Sequence, residues 1–458
     1  MKTYSPFARP LYVMLKPVGP RCNLRCQYCY YLPTANHHHN FPPVGGIEGG
    51  FSLMSESLLE QFTKEYIEAQ TMPQVLFTWH GGEPTLRPLD FYRKAIQLQK
   101  RYAQGRQISN CLQTNGTLLN DEWCEFLAEN HFLVGLSIDG PQPFHDQYRL
   151  SNSGQPTWER VVRAIQLLRK HGVEWNAMAT VNHANVDHPL DFYHFFKENQ
   201  CTYLQFTPIV ELSSPYWERL RVGESYSGMD KREALHPSST IPSATGASSP
   251  QANNPSSLIL HPSSLSPSAT GALHPASITP QQWGHFLCAI FDEWVRTDVG
   301  HIFVEIFDCT LANWVGETPG ICAYSKECGH AGVMEANGDV YSCDHFVRPE
   351  HHLGNIREKT LVEMLYGPQQ QRFSILKHQA LPSQCRECDV EFACHGECPK
   401  NRIVNDCYGN PGLNYLCEGY RQFYHHAAPY MDFMARELSE QRPPANVMKA
   451  VDSLKIEH

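Results

Sequence analysis

The chain has 458 residues, 41% hydrophobic and 18% charged, a balance that suits a soluble globular protein of more than one domain. Its net charge of −10 and pI near 6.2 argue against a nucleic-acid partner held by phosphate contacts. No apolar run approaches membrane-spanning length and no signal-peptide pattern opens the chain, so a cytoplasmic protein without a membrane partner is expected.

In chain order, β-rich runs fall at Leu11–Lys16, Val75–Trp79, Ile108–Thr114, Leu133–Ile138, Trp175–Val181 and Tyr203–Val210. Helical periodicity falls between them, at Glu56–Gln70, Leu89–Gln104, Asp121–Glu129, Thr157–Lys170 and Pro189–Glu198. Such alternation predicts parallel βαβ units in an α/β fold, either a partial (β/α)6 barrel or an open doubly wound sheet. In both, ligands gather beyond the carboxyl ends of the strands. Residues 222–279 break the pattern. They are rich in Ser, Pro and Ala, and Leu235-His-Pro-Ser-Ser returns at Leu260, 25 residues later. Too few apolar side chains remain for stacked repeats, so a duplicated, disordered insertion is expected. From Gln281 an amphipathic helix resumes. The chain thus divides into a strand–helix region (1–221), the insertion (222–279), a helical linker (280–320), a cysteine-rich domain with a β-hairpin and helices (321–430) and a helical tail with a loosely ordered end (431–458).

Seventeen cysteines fall into three at 22–29, eight grouped among the nine between 322 and 417, and six placed singly (Cys111, Cys124, Cys201, Cys288, Cys309 and Cys407), which read as small buried hydrophobes. Cys22, Cys26 and Cys29 have the spacing C-x3-C-x2-C directly after the first strand. Three thiolates from one loop can hold three irons of a cubane and leave the fourth iron open, whereas zinc sites and ordinary ferredoxin clusters use four protein ligands. A zinc knuckle completed by a distant His, or a purely structural cluster of thiols, is the plain alternative. Gly81-Gly82-Glu83-Pro84 follows the second strand and lets the backbone approach a ligand closely. Gln113-Thr-Asn-Gly116 and Ser137-Ile-Asp-Gly-Pro141 end the next two strands. Each could be an ordinary strand-to-helix turn. The second group reads Cys322-x5-Cys328-x14-Cys343, then Cys385-x2-Cys388-x5-Cys394-x3-Cys398, then Cys417. Eight thiols suffice for two fully ligated [4Fe–4S] clusters, or for two zinc sites. Asn337-Gly338-Asp339 marks a hairpin turn that would bring Cys328 and Cys343 together.

The first loop and Gly81–Pro84 resemble the radical S-adenosylmethionine (SAM) enzymes, and the second cysteine group resembles their SPASM extension. With Lys16-Pro17, Cys22-Asn-Leu-Arg-Cys26-Gln-Tyr-Cys29, Leu112-Gln-Thr-Asn-Gly-Thr-Leu118 and Cys343-Asp344, the chain is similar to the anaerobic sulfatase-maturating enzymes from about residue 10 to 430, the insertion excepted. The resemblance implies a radical SAM enzyme that oxidises a Cys or Ser of a sulfatase polypeptide to Cα-formylglycine through a 5′-deoxyadenosyl radical. It implies SAM contacts at Tyr28, Gly82, Ser137, Arg149 and Val210, substrate contacts at Tyr31 and His80, and Asp344 as base. It also implies three [4Fe–4S] clusters: one on Cys22, Cys26 and Cys29, one on Cys322, Cys328, Cys343 and Cys398, and one on Cys385, Cys388, Cys394 and Cys417. The partners it implies are an unfolded or nascent sulfatase and a reduced donor such as flavodoxin or ferredoxin. The rival enzyme is a radical SAM peptide maturase that forms thioether or carbon–carbon crosslinks. The rival from another class is a non-catalytic iron–sulfur or zinc protein.

Overall fold

The computed structural model describes residues 10–31, 53–213, 273–329 and 331–454. Its first half runs β1 (Tyr12–Leu15), α1 (Glu56–Ala69), β2 (Gln74–Trp79), α2 (Leu89–Tyr102), β3 (Gln107–Thr114), α3 (Asp121–Glu129), β4 (Phe132–Ser137), α4 (Gln142–Tyr148), α5 (Trp158–Lys170), β5 (Glu174–Val181), α6 (Pro189–Glu198) and β6 (Tyr203–Pro208). Short polar residues start the helices where the sequence places them. Ser55 accepts from the Leu58 N–H at the head of α1, and Asn120 accepts from Trp123 at the head of α3. Helix α4 escapes sequence reading because its seven residues carry too little periodicity.

Strands β1 to β6 are all parallel and lie side by side in chain order, extended by the two-residue β7 (Phe303–Val304). A doubly wound sheet reverses its strand order part-way. Unreversed order with right-handed crossovers puts every connecting helix on one face, which is the wall of a partial barrel. Of the two predicted architectures, this is the one that forms. Leu15, Phe77, Trp79, Leu112 and Leu136 are fully buried in its core.

The cysteine-rich region is not a separate body. Its strand β8 (Ala331–Met334) pairs in parallel with β1, with Met14 opposite Val333. Strands β9 (Asp339–Tyr341) and β10 (His352–Asn355) then add antiparallel, giving one ten-stranded sheet in the order β10-β9-β8-β1-β2-β3-β4-β5-β6-β7. A bare β1 would expose a row of unpaired backbone groups, and β8 satisfies them. The predicted hairpin turn is present, with Gly338 at φ +92°.

Helix α7 (Pro280–Thr297) begins with a capping box in which Thr279 and Gln282 each bond the other's backbone, with Pro280 at the first turn. After α8 (Glu305–Trp314), the cysteine-rich region adds α9 (Leu361–Leu365), α10 (Pro368–Gln379), α11 (Ser383–Arg386), α12 (Glu391–Cys394), a small ribbon of β11 (Val404–Asn405) and β12 (Pro411–Leu413), and α13 (Cys417–Ser439). Phe291 of α7 meets Phe423 and Tyr430 of α13 edge-on.

Three expectations need correction. Helix extends further into the tail than expected, and residues 455–458 lie outside the described residues. Val447–Leu454 form α14, which buries Val447 and Val451 one turn apart, a burial that contributes about 1.5–3 kcal/mol per side chain. Residues 214–272 lie outside the described residues, and the described chain resumes at Leu273, inside the expected insertion. Leu273 bridges Leu212, while Ala276 and Ile278 are buried, because this stretch regains apolar spacing before α7. The single cysteines are also mixed: Cys124, Cys201 and Cys309 are buried, Cys111 and Cys288 are half-buried, and Cys407 is exposed on the turn beside the small ribbon.

Candidate active site

Because the strands are parallel, the segments that leave their carboxyl ends share one rim. The loop after β1 carries Cys22, Cys26 and Cys29. It is folded tightly, with the Cys29 N–H on the Cys26 carbonyl (3.1 Å) and the Leu24 N–H on the Cys22 sulfur (3.3 Å). It is strapped to the segment after α4 by Arg25 to Leu150 and Gln27 to Tyr148. Burial pushes the Cys22 and Cys26 thiols up to about 12, with further increments from Glu83 at Cys22 and from Cys29 at both. Such thiols are neutral when alone. A bound metal supplies the positive charge that makes them thiolates, so this donor set fits an iron cluster.

The loop after β2 lies against the cysteine loop. A side chain at Gly82 would put its Cβ 2.1 Å from the Arg21 carbonyl oxygen, so only glycine fits. Glu83 faces inward and is fully buried. It accepts from the Thr85 N–H (3.0 Å), the Thr114 hydroxyl (2.7 Å) and the Asn115 N–H (2.8 Å), which ties this loop to the end of β3. Asn115 in turn donates to Asn23 (2.9 Å) and reaches the Cys22 sulfur. The Gly-Gly-Glu-Pro and Gln-Thr-Asn-Gly motifs are therefore one hydrogen-bonded unit.

Beyond β4, Asp139 organises the next part of the rim. It accepts from the Tyr28 hydroxyl and the Thr180 N–H (3.0 Å), and it pairs with Arg149 at 3.0 Å. The charge of Arg149 also favours the Cys26 thiolate, and its guanidinium lies 5.6 Å from the Tyr28 ring centroid. Tyr28, Arg149 and Cys26 thus form one cluster, and Arg149 is committed to Asp139 instead of standing open in a loop. Ser137 accepts from Gln113 (3.1 Å), and Val210 is buried at the end of β6.

A second cluster follows from the order β8-β1-β2. Lys16, Glu335 and His80 immediately follow these strands and so stand side by side. Lys16 is wholly buried. Its ammonium pairs with Asp344, lies 3.9 Å from Glu335 and sits 3.3 Å from the centre of the Tyr31 ring. Tyr30 donates to the other oxygen of Asp344, and Tyr31 donates to Glu335. Burial works against the charge of Asp344, yet Lys16 holds its pKa well below the ordinary carboxylate range. Burial likewise keeps the neighbouring His345 neutral by lowering it to about 4, and lowers His80. Sequence reasoning singled out Asp344, Tyr31 and His80 but missed Lys16, Tyr30, Glu335 and Asp139 as partners. A lysine closing an apolar strand was the available signal.

The eight distal thiols fall into two sets. Cys322, Cys328 and Cys398 are the thiols whose charges act on Cys343. Cys385 and Cys417 act on Cys394, and Cys385 and Cys388 act on Cys417. The second set opens on a cavity of about 300 Å³ lined by all four of its thiols with Tyr408 and Arg421. All seventeen cysteines are free. Burial raises every thiol of the first set, and Cys394, Cys385 and Cys417 in the second, the last two to about 11 and 12. As in the first loop, this chemistry fits metal-bound thiolates.

Residues 17–196 match the family model described as the Radical SAM superfamily, and residues 327–389 match that of an iron–sulfur cluster-binding domain, SPASM. The chain is 56% identical over 458 residues to a serine-type anaerobic sulfatase-maturating enzyme of Bacteroides thetaiotaomicron, covering 100% of this chain and 99% of the relative. It is 29% identical over 437 residues to a cysteine-type enzyme of Clostridium novyi, covering 94% and 99%. A solved structure described as native anSMEcpe with bound AdoMet and Cp18Cys peptide superposes with a TM-score of 0.72 at 27% identity, covering 94% of this chain and 100% of that one. Among the described residues no helix is long and apolar enough to cross a membrane. The chain belongs to the anaerobic sulfatase-maturating enzymes, radical SAM oxidoreductases with a SPASM domain.

Proposed function

We propose that this enzyme oxidises a serine of a sulfatase polypeptide to Cα-formylglycine. Support for serine over cysteine comes from similarity: serine-type relatives are 56% and 32% identical to the chain, cysteine-type relatives 29% and 27%. The observation that carries the reading is the placement of Asp344. It adjoins Cys343 of one distal set, and the Tyr30 that it holds adjoins Cys29 of the first loop. A base so placed lies between a site where hydrogen is removed and a site where an electron leaves.

In this reading Cys22, Cys26 and Cys29 hold the SAM-binding cluster. Cys322, Cys328, Cys343 and Cys398 hold one auxiliary cluster, and Cys385, Cys388, Cys394 and Cys417 the other, three in all. When bound, these groups and SAM supply a carbon radical that takes one hydrogen atom from the serine Cβ, and an acceptor for the one electron that must follow it. The polypeptide does the rest. Gly82 lets the backbone approach SAM, while Tyr28, Ser137, Arg149 and Val210 surround it. Asp344, kept ionised by Lys16, takes the serine hydroxyl proton as the carbon–oxygen double bond forms. Tyr31 and His80 line the substrate side. Atoms balance: two hydrogens leave the side chain, one as an atom and one as a proton, with one electron. A reduced flavodoxin or ferredoxin supplies electrons, and the many free thiols suit the cytoplasm. Incubating anaerobically reconstituted enzyme with SAM, a reductant and paired Ser- and Cys-containing sulfatase peptides tests the reading. Faster aldehyde formation from the Ser peptide is expected; conversion of the Cys peptide alone would overturn it.

A further inference from the structure

Between the two distal thiol sets lie two buried cations that the chemistry above does not use. Lys377, near the end of α10, is fully buried, and its ammonium donates to three backbone carbonyls, those of Cys322, Ala323 (2.7 Å) and Ser325. An ammonium has three N–H groups, so all are spent on this one turn. Arg402, 1% exposed, donates to the carbonyls of Gly396 (2.9 Å), His395 (2.9 Å), Glu397 (3.1 Å) and Lys377 itself. Glu397 is the buried carboxylate nearby. It accepts from Asn414 (2.6 Å) and Asn401 (3.3 Å), and burial raises its pKa.

Burying a lysine without a carboxylate bonded to it is costly, and carbonyl dipoles repay only part of that cost. Burial and the neighbouring Arg402 guanidinium work against its charge and lower its pKa, while the thiols of Cys328, Cys322 and Cys398 favour the charged form. The ammonium is anchored on the backbone carbonyl of Cys322 itself, one residue of the first distal set, and the charges of three of that set's four thiols act on it. Its fixed position, set by three hydrogen bonds to a turn that begins at Cys322, is what a loosely held lysine would lack.

We propose that Lys377 is a positioning residue that sets the reduction potential of the cluster held by Cys322, Cys328, Cys343 and Cys398, favouring the reduced form. This rests on the ligand assignment proposed above. The potential of a thiolate-bound cluster follows the charges and hydrogen bonds around it. A fixed positive charge in a medium of low dielectric stabilises the state with one more electron. That state is the one formed when the oxidised cluster accepts the electron leaving the substrate, next to Asp344, so stabilising it makes the cluster a better acceptor.

The test uses full-length reconstituted enzyme in which Cys22, Cys26 and Cys29 are all replaced by Ala, so that only distal clusters contribute. Lys377→Met keeps the stem length and removes the charge; Lys377→Arg keeps the charge. Redox titration followed by electron paramagnetic resonance reads only molecules that carry a cluster, so reduced loading does not hide the result. At least a tenfold fall in the reduction equilibrium constant is expected for Lys377→Met, about 59 mV more negative for a one-electron couple. The Arg variant should restore most of it. Unchanged potential in Lys377→Met, at full or reduced iron content, would overturn the proposal and leave Lys377 a structural clamp. Absence of a thiolate-bound cluster in the parent protein would instead sink the ligand assignment.

Discussion

The two thiol-bearing regions are built in opposite ways. At the amino-terminal rim, three cysteines come from eight consecutive residues, and one loop fixes their neighbourhood. In the distal region, two sets of four interleave over residues 322–417, so that Cys398 joins Cys322, Cys328 and Cys343 while Cys417 joins Cys385, Cys388 and Cys394. The first arrangement depends on local geometry. The second depends on β8 completing the barrel sheet, on the β8–β9 turn, and on the start of α13 returning to the ribbon. A short loop suits a site that must leave a metal position open, whereas a cage of four ligands from distant elements suits one closed to exchange.

The sharpest way to break this comparison is to remove one thiol from each region. Cys26→Ala should abolish SAM cleavage and product together, with distal iron retained. Cys394→Ala should lose product while SAM cleavage persists; chromatographic assay of methionine and deoxyadenosine separates the two outcomes. Next in size, Asp344→Asn should lower formylglycine formation by about 10²-fold or more, the scale of a lost general base, while SAM cleavage survives. Retained modification, read by peptide mass, would end that assignment.

Lys16→Met should give a smaller effect that depends on pH. Lys16 holds the Asp344 carboxyl below its ordinary range, so the group is ionised throughout the neutral range. Without Lys16, burial prevails and the folded pKa rises. Activity lost as pH falls should then appear as an acid limb, falling about tenfold per pH unit below the raised pKa, where the parent enzyme is flat. A profile identical to the parent would show that Lys16 only packs against Tyr31. Smallest of all should be replacement of residues 214–272 by a short Gly-Ser linker. Leu212 and Leu273 already pair, so the two ends of the cut stand together and closure costs little. Turnover within about twofold is expected by steady-state assay.

Much of the amino-terminal half was legible because strand and helix periods alternate there and the motifs stand at strand ends. The Glu83 anchor was half legible: Gly-Gly-Glu-Pro could be read, but its bonds to Thr114 and Asn115 need the β2–β3 register. The cluster of Lys16, Glu335 and Asp344 was not legible, since it depends on β8 pairing with β1 across more than three hundred residues of chain. Nothing in a four-residue strand announces its partner. The helix at Val447–Leu454 was missed for a different reason, because two valines a turn apart are a weak period until a groove exists to receive them.

The central claim is that the loop of Cys22, Cys26 and Cys29 leaves one metal position for SAM. The direct measurement is electron paramagnetic resonance of reduced, reconstituted enzyme in which all eight distal cysteines are replaced by Ala, recorded with and without SAM. The account predicts a cubane signal that shifts when SAM is added. A cluster already saturated by the polypeptide, with a spectrum indifferent to SAM, would contradict it.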